Sequence, residues 1–309
     1  MKKDLKQLFE NCVDEWRFTT CLRPETIRGY IAVFDLFLKI MPEVVEIDDL
    51  TAEMLNEYFK RIENRKRIVG RNTFKSGVKK TTIKTHWSKL NVFFKWLKEN
   101  GHLETNPLKG IKPPRVSYDD YKRLEDHEIN KIYASITLHT NDQFRLRRDT
   151  LMISLLLYTG IRKGEFISLR VTDLDLNKKE ITIRAETSKS GKTRTLKIHP
   201  SLFMHIKDYL NERNKRGYKT EYLITSSKED KCLSRGGLKH WTEKIEQMSG
   251  LKFHLHMFRH TFACKLVEAN VNAFKIQKLM GHTSINMTTK YLRSLKTENM
   301  EEDIGKISF

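Results

Sequence analysis

The sequence predicts a mainly α fold with a small antiparallel β-sheet, built as a helical N-terminal domain followed by a mixed α/β domain. Three observations predict it. Apolar residues recur at helical spacing through most of the 309 residues. One stretch, residues 174–198, instead shows the short alternating runs of strands. Between the two domains, the segment from Asn106-Pro107 to Pro113-Pro114-Arg115 cannot be helical, because proline breaks the hydrogen-bond ladder and restricts its predecessor.

Taken in order, Pro24 stands near a helix start and precedes Ile27, Ile31, Phe34 and Leu38, spaced 4, 3 and 4. Thr51 suits the N-cap of a helix carrying Met54, Leu55 and Tyr58. A basic loop over residues 60–80 follows. Ile83, Trp87, Leu90, Phe94 and Leu97 then repeat the stripe up to Gly101, a C-terminal glycine. In the second domain a helix begins at Asp126, and a mostly apolar helix over residues 151–158 ends at Gly160. Leu174-Asp175-Leu176, Ile181-Thr182-Ile183 and residues 193–198 read as three strands of one sheet. Helices resume at Pro200, with one further strand candidate over residues 222–225. The expected organisation is a helical domain over 1–106, a linker over 107–122, a second domain over 123–295 and a tail over 296–309.

Composition narrows the class. Hydrophobic residues make up 39% and charged residues 31%, which suits a soluble globular protein. The longest apolar run, residues 152–158, is too short to span a bilayer. MKKDLKQLFE lacks the apolar core of a signal peptide, so a cytoplasmic protein is expected. Cys12, Cys21, Cys232 and Cys264 are scattered without a C-x-x-C pair, which fits free thiols. Charge says more: 58 Lys+Arg against 39 Asp+Glu leave a net +19, which suits a polyanion partner, usually nucleic acid. Membrane-surface and ribosome-associated proteins share such an excess. The basic residues around 60–80, Lys79 and Lys80 among them, suit a DNA clamp as well as a solvated helical face.

Four patterns in the second domain carry chemistry. Thr159-Gly160-Ile161-Arg162-Lys163-Gly164-Glu165 puts an arginine just past an apolar helix, with Glu165 placed to hold it; an exposed Arg–Glu pair is the ordinary alternative. Ser188-Lys189-Ser190-Gly191-Lys192-Thr193-Arg194 is a basic turn between strands. It is no P-loop, since Glu186 occupies the required glycine position and a strand follows. Its Lys192 and Arg194 are expected at a DNA backbone, unless the turn is merely solvated. His256-Met257-Phe258-Arg259-His260 puts His256 and Arg259 on one helical face. His254, His256 and His260 also invite a metal, but no nearby carboxylate or cysteine completes a set. Last, Gly281-His282 is followed nine residues after the histidine by Tyr291, which taken alone reads as packing.

Jointly and in this order, the patterns resemble the catalytic domain of the tyrosine recombinase (phage integrase) family. That family carries T-G-[LI]-R-x-x-E, a hairpin lysine, H-x-x-R-H, L-G-H and a tyrosine nine residues on. The matches are Arg162 with Glu165, Lys189, His256 with Arg259, His282 and Tyr291. Met280 separates Leu279 from Gly281, and Ser188 stands where the family has glycine before its lysine, so Lys192 competes with Lys189. The resemblance covers residues 120–295, and the helical front half looks like the family's core-binding domain.

The resemblance implies a site-specific recombinase that cleaves and rejoins DNA through a 3′-phosphotyrosyl link. Tyr291 would be the nucleophile. Arg162 and Arg259 would hold the nonbridging oxygens. Lys189 would protonate the leaving oxygen, His256 would accept the tyrosine proton, and His282 would bond a nonbridging oxygen. It implies no cofactor or metal, a double-stranded DNA site as partner, and a homotetramer on two such sites assembled through the tail. Without a domain before the helical clamp, the expectation is a Xer-like enzyme lacking an arm-binding domain, serving integration, excision or resolution. A type IB topoisomerase and a catalytically silent DNA-binding regulator are the alternatives. A metal-dependent nuclease would need a carboxylate cluster that the sequence does not offer.

Overall fold

The computed structural model describes residues 4–69, 73–116 and 122–292. The chain divides into two compact units, Met1–Asp119 and Asp120–Phe309.

In the first unit, α1 (Leu5–Phe18) starts at Asp4, whose carboxylate accepts from the Gln7 backbone N–H at 2.8 Å. α2 (Pro24–Ile40) has Pro24 in its first turn, and α3 (Ala52–Asn64) is capped by the Thr51 hydroxyl. β1 (Lys66–Val69) and β2 (Thr73–Ser76) form an antiparallel hairpin, and α4 (Lys80–Glu99) closes the unit. Its core is aromatic. Phe9 stacks on Phe34 at 3.8 Å between ring centroids, and Phe93 meets both edge-on at 5.1 and 5.3 Å. One buried polar pair crosses this core, Tyr58 Oη to His86 Nδ1 at 2.7 Å.

Two expectations change here. Residues 60–80 are not a loop: α3 runs to Asn64 and the hairpin follows, so the unit is not all-helical. The proline segment is non-helical, as expected, but its front is pinned to α4. Asn106 donates to Asn91 Oδ1 and accepts from the Leu108 backbone, Leu108 is buried, and the Trp87 indole donates to the Ile111 carbonyl.

In the second unit, α5 (Asp126–His139) leads to α6 (Gln143–Thr159), which begins well before its apolar stretch. Asp142 caps it, and the polar first turns are accommodated by a buried Arg148–Asp149 pair at 2.7 Å. A helix buried on nearly all sides shows no amphipathic stripe, so only its apolar part, residues 151–158, stands out in the sequence. α7 (Lys163–Ile167) is followed by β3 (Leu174–Asp175), β4 (Glu180–Ile183) and β5 (Arg194–Lys197). The sheet order is β3-β4-β5, antiparallel throughout, with Ile181 opposite Leu196 and both buried. α8 (Pro200–Lys215) packs on α6, and α9 (Arg235–Ser249) packs on α5. α10 (Leu255–Glu268), α11 (Ala273–Met280) and α12 (Asn286–Leu292) complete the unit. Residues 222–225 form only isolated bridges, Tyr222 to Arg170 and Thr225 to Cys232.

Burial first, then the charges of Lys89 and Arg65, push His86 down to about 4. Its folded value lies below the unfolded one, so the stability it contributes is whole above about pH 6.5 and declines as pH falls toward 4. Tyr58→Phe strands the buried imidazole and is expected to cost about 1–3 kcal/mol. Urea unfolding at pH 7 and pH 5 checks both, with lower stability at pH 5 as the expected sign.

Candidate active site

The site grows from the ends of three helices. α6 terminates at Gly160, left-handed at φ 55°, where an added Cβ would lie 2.4 Å from the Phe262 ring. Ile161 is buried behind this turn, and Arg162 becomes the N-cap of α7. Glu165, at the third position of α7, accepts from the Arg162 backbone N–H at 3.0 Å and from its guanidinium at 3.1 Å.

α11 supplies the opposite wall. It ends in a left-handed Gly281, with Gly281 N–H on the Lys278 carbonyl and His282 N–H on the Gln277 carbonyl. That closure leaves the next three carbonyls to be satisfied from outside, and each takes one arginine. Arg194 Nε donates to Leu279 O at 3.1 Å, Arg259 to Met280 O at 2.6 Å, and Arg162 to Gly281 O at 2.8 Å. Arg259 also donates to the Gly160 carbonyl, tying the end of α6 to the end of α11. Cations are favourable at the negative end of a helix dipole. A Cβ on Gly281 would come 3.0 Å from the Arg194 guanidinium.

Arg194 is therefore a correction. Expected at a DNA backbone, it is buried at the start of β5, with its guanidinium forked onto both Glu165 oxygens at 3.0 and 2.7 Å. Glu165 thus serves two arginines. Burial pushes its carboxyl up, but the bond and charge of Arg194, then Arg162, outweigh that and hold it below the usual carboxylate range. Arg259 is lowered to about 9 by burial and then by Arg162, so it stays cationic at neutral pH. With Arg259, the cluster holds three guanidiniums and one carboxylate, a formal net charge of about two positive.

His260 and His282 add no charge at neutral pH. Burial first and then the neighbouring cations bring His282 to about 3, and burial with the nearby His256 brings His260 to about 4. His256 is more open to solvent and is lowered in the same sense, by burial and by Arg259. Tyr291, on α12, is buried, and its phenol oxygen lies 2.9 Å from His260 Nδ1. The Tyr291 ring lies nearly parallel to His282 at 6.2 Å, and His282 Nδ1 is held by Thr288 Oγ1 at 2.9 Å.

His260 is the residue that sequence reasoning missed as Tyr291's partner. It stands in the same motif, four residues from His256 and on the same helical face, where the sequence alone suggests a metal ligand; the two rings meet edge to face at 4.3 Å. Among the described residues, no group of three or more His, Cys, Asp or Glu converges as a metal site.

The lysines are set apart. Lys189 and Lys192 are both exposed on the β4–β5 turn, which is anchored by the buried Ser188 and bent at Gly191. Lys192 lines a cavity of about 800 Å³ that His282, Gly281 and Arg194 also line. Lys189 is not part of that lining. In the first unit, Lys79 and Lys80 stand exposed at the start of α4.

Residues 122–298 match the model of the phage integrase family. A tyrosine recombinase of Pseudothermotoga lettingae is 25% identical over 96% of this chain and 97% of its own length. Tyrosine recombinase XerC of Escherichia coli O127:H6 is 27% identical over 70% of this chain and 71% of its own. Among solved structures, the Tn1549 transposon integrase in complex with transposon right end DNA has a TM-score of 0.74 at 17% identity, covering 98% of this chain and 99% of that one. The XerH site-specific recombinase bound to difH substrate has a TM-score of 0.66 at 21% identity, covering 91% and 79%. These two establish likeness of fold.

Breaking a buried ion pair by removing one partner costs about 3–5 kcal/mol. Glu165→Gln leaves Arg194 and Arg162 uncompensated and is expected to lose that much stability, measured by urea unfolding. Unfolding within 1 kcal/mol of the parent would contradict the shared role of this carboxylate.

Proposed function

The chain belongs to the phage integrase family, and on that premise we propose that it is a tyrosine site-specific recombinase that cuts and rejoins double-stranded DNA through a 3′-phosphotyrosyl link. One observation carries the reading: a buried phenol, bonded to a neutral imidazole, stands in a cluster whose formal charge is about two positive. A phosphodiester brings one negative charge, and its displacement transition state develops a second. The cluster's charge matches that state better than the ground state, as differential stabilisation requires.

The Tyr291 oxygen bonds phosphorus, the bond from phosphorus to the 5′-oxygen breaks, and the phenol proton passes to His260, the imidazole on that oxygen. His256, given this role by the resemblance, lies edge to face with His260. Arg162 and Arg259 direct their remaining N–H donors at the nonbridging oxygens, since each guanidinium has five and the carbonyls use only some. His282, oriented by Thr288, bonds one of the same two oxygens. The 5′-oxygen takes a proton from a lysine of the β4–β5 turn: Lys189 by resemblance, Lys192 by its place on the cavity beside His282. The link conserves the phosphodiester, so a 5′-hydroxyl can reverse the step without ATP.

Residues 1–106 serve as the core-binding domain, with Lys79 and Lys80 at phosphates, residues 107–122 as linker and 123–295 as the catalytic domain. The tail, 296–309, lies outside the described residues; its role is to dock protomers into a homotetramer on two DNA sites. Integration, excision and resolution all use this chemistry.

Tyr291→Phe is expected to bind DNA yet leave no protein–DNA adduct on a nicked suicide substrate; a persisting adduct would sink the assignment. Arg162→Lys should slow adduct formation about 10²–10³-fold, as loss of an oxyanion donor does. A substrate with sulfur at the 5′ bridging position needs no general acid, so it should restore Lys192→Ala or Lys189→Ala, whichever lysine is the acid, and not the other.

A further inference from the structure

Between α3 and α4 the β1–β2 hairpin pairs Ile68 directly with Phe74. Residues directly opposite in an antiparallel pair share a face, so these two side chains stand together. Ile68 is 65% exposed and Phe74 74%, so neither is buried in the core of its own unit. Arg67 pairs with Lys75 on the other face, and both are exposed. Every residue of β2 is exposed, so neither face of this strand is packed. A two-stranded hairpin without a buried face is marginal in water, and like charges directly opposite weaken it further.

Charge says what relieves this. From Arg65 to Lys80 the sequence has seven Lys or Arg and no Asp or Glu. A polyanion against the hairpin offsets the repulsion of Arg67 and Lys75. A second copy of this chain, itself at +19, has the wrong charge.

We infer that the β1–β2 hairpin is a DNA-reading ribbon, with Ile68 and Phe74 against base edges and Arg67 and Lys75 reaching the flanking phosphates. A two-stranded β-ribbon fits the major groove, where apolar side chains contact the thymine methyl group. Phosphate contacts set affinity without carrying sequence, whereas base contacts specify. The apolar pair is therefore the specificity determinant of this unit, and the cationic pair its anchor. This rests on the reading of the chain as a DNA recombinase.

The test selects bound duplexes from a random-sequence library with the parent chain, Ile68→Ala/Phe74→Ala and Arg67→Ala/Lys75→Ala. All four positions are exposed, so both variants are expected to keep the parent's unfolding midpoint. The apolar variant should return a motif missing a block of adjacent base pairs, with discrimination there falling about tenfold and the salt dependence of binding unchanged. The charge variant should return the whole motif, with the slope of log affinity against log salt flattened by about 2. An apolar variant that selects the complete motif overturns the inference. So does one that selects it while losing only cooperative binding of two copies, which would assign the pair to a second chain. A parent chain that selects no motif also overturns it, and its adduct assay then tells separately whether the recombinase reading falls too.

Discussion

Three buried or half-buried guanidiniums repel one another, and the second unit is arranged around making that repulsion bearable. The closing turn of α11 satisfies two of its last carbonyls internally and presents the next three, of Leu279, Met280 and Gly281, to Arg194, Arg259 and Arg162 in turn. Glu165 supplies the one formal negative charge, shared between Arg162 and Arg194. α7, β5, α10 and α11 therefore meet at one point, and their relative positions are set by hydrogen bonds whose loss would strand a charge. Arg259 extends the grip to α6 through the Gly160 carbonyl.

The same cluster governs the protonation of its neighbours. Burial lowers His260 and His282, and the surrounding positive charge lowers them further, so neither adds to the cation count at neutral pH. A neutral imidazole can accept a proton, which an imidazolium cannot. The excess of arginine over carboxylate, costly to the fold, helps keep the histidines unprotonated beside the phenol. Tyr291 reaches this environment because α12 packs on α10 and α11.

Much of this was legible in the sequence. The small sheet appeared at its observed place because β4 and β5 each bury one face, so alternation survives. Helix boundaries marked by Thr51, Pro24 and Pro200 followed from local capping, which depends on neighbours in the chain alone. The start of α6 did not, since burial on all sides removes the amphipathic signal. Nor did the β1–β2 hairpin: with both faces of β2 exposed, no hydrophobic alternation is imposed, and its lysines and arginines read as a loop.

The sequence by itself determined the family resemblance and with it the candidate set: Arg162, His256, Arg259, His282 and Tyr291 stand in motifs whose spacings are each local to one helix or turn. Only the tertiary structure decided partnership. It turned Arg194 from an expected DNA contact into a buried tie on Glu165, and placed His260 on the phenol. It also set Lys192 on the cavity beside His282. These relations join residues dozens of positions apart, and no local period encodes a contact that exists only when helix ends converge.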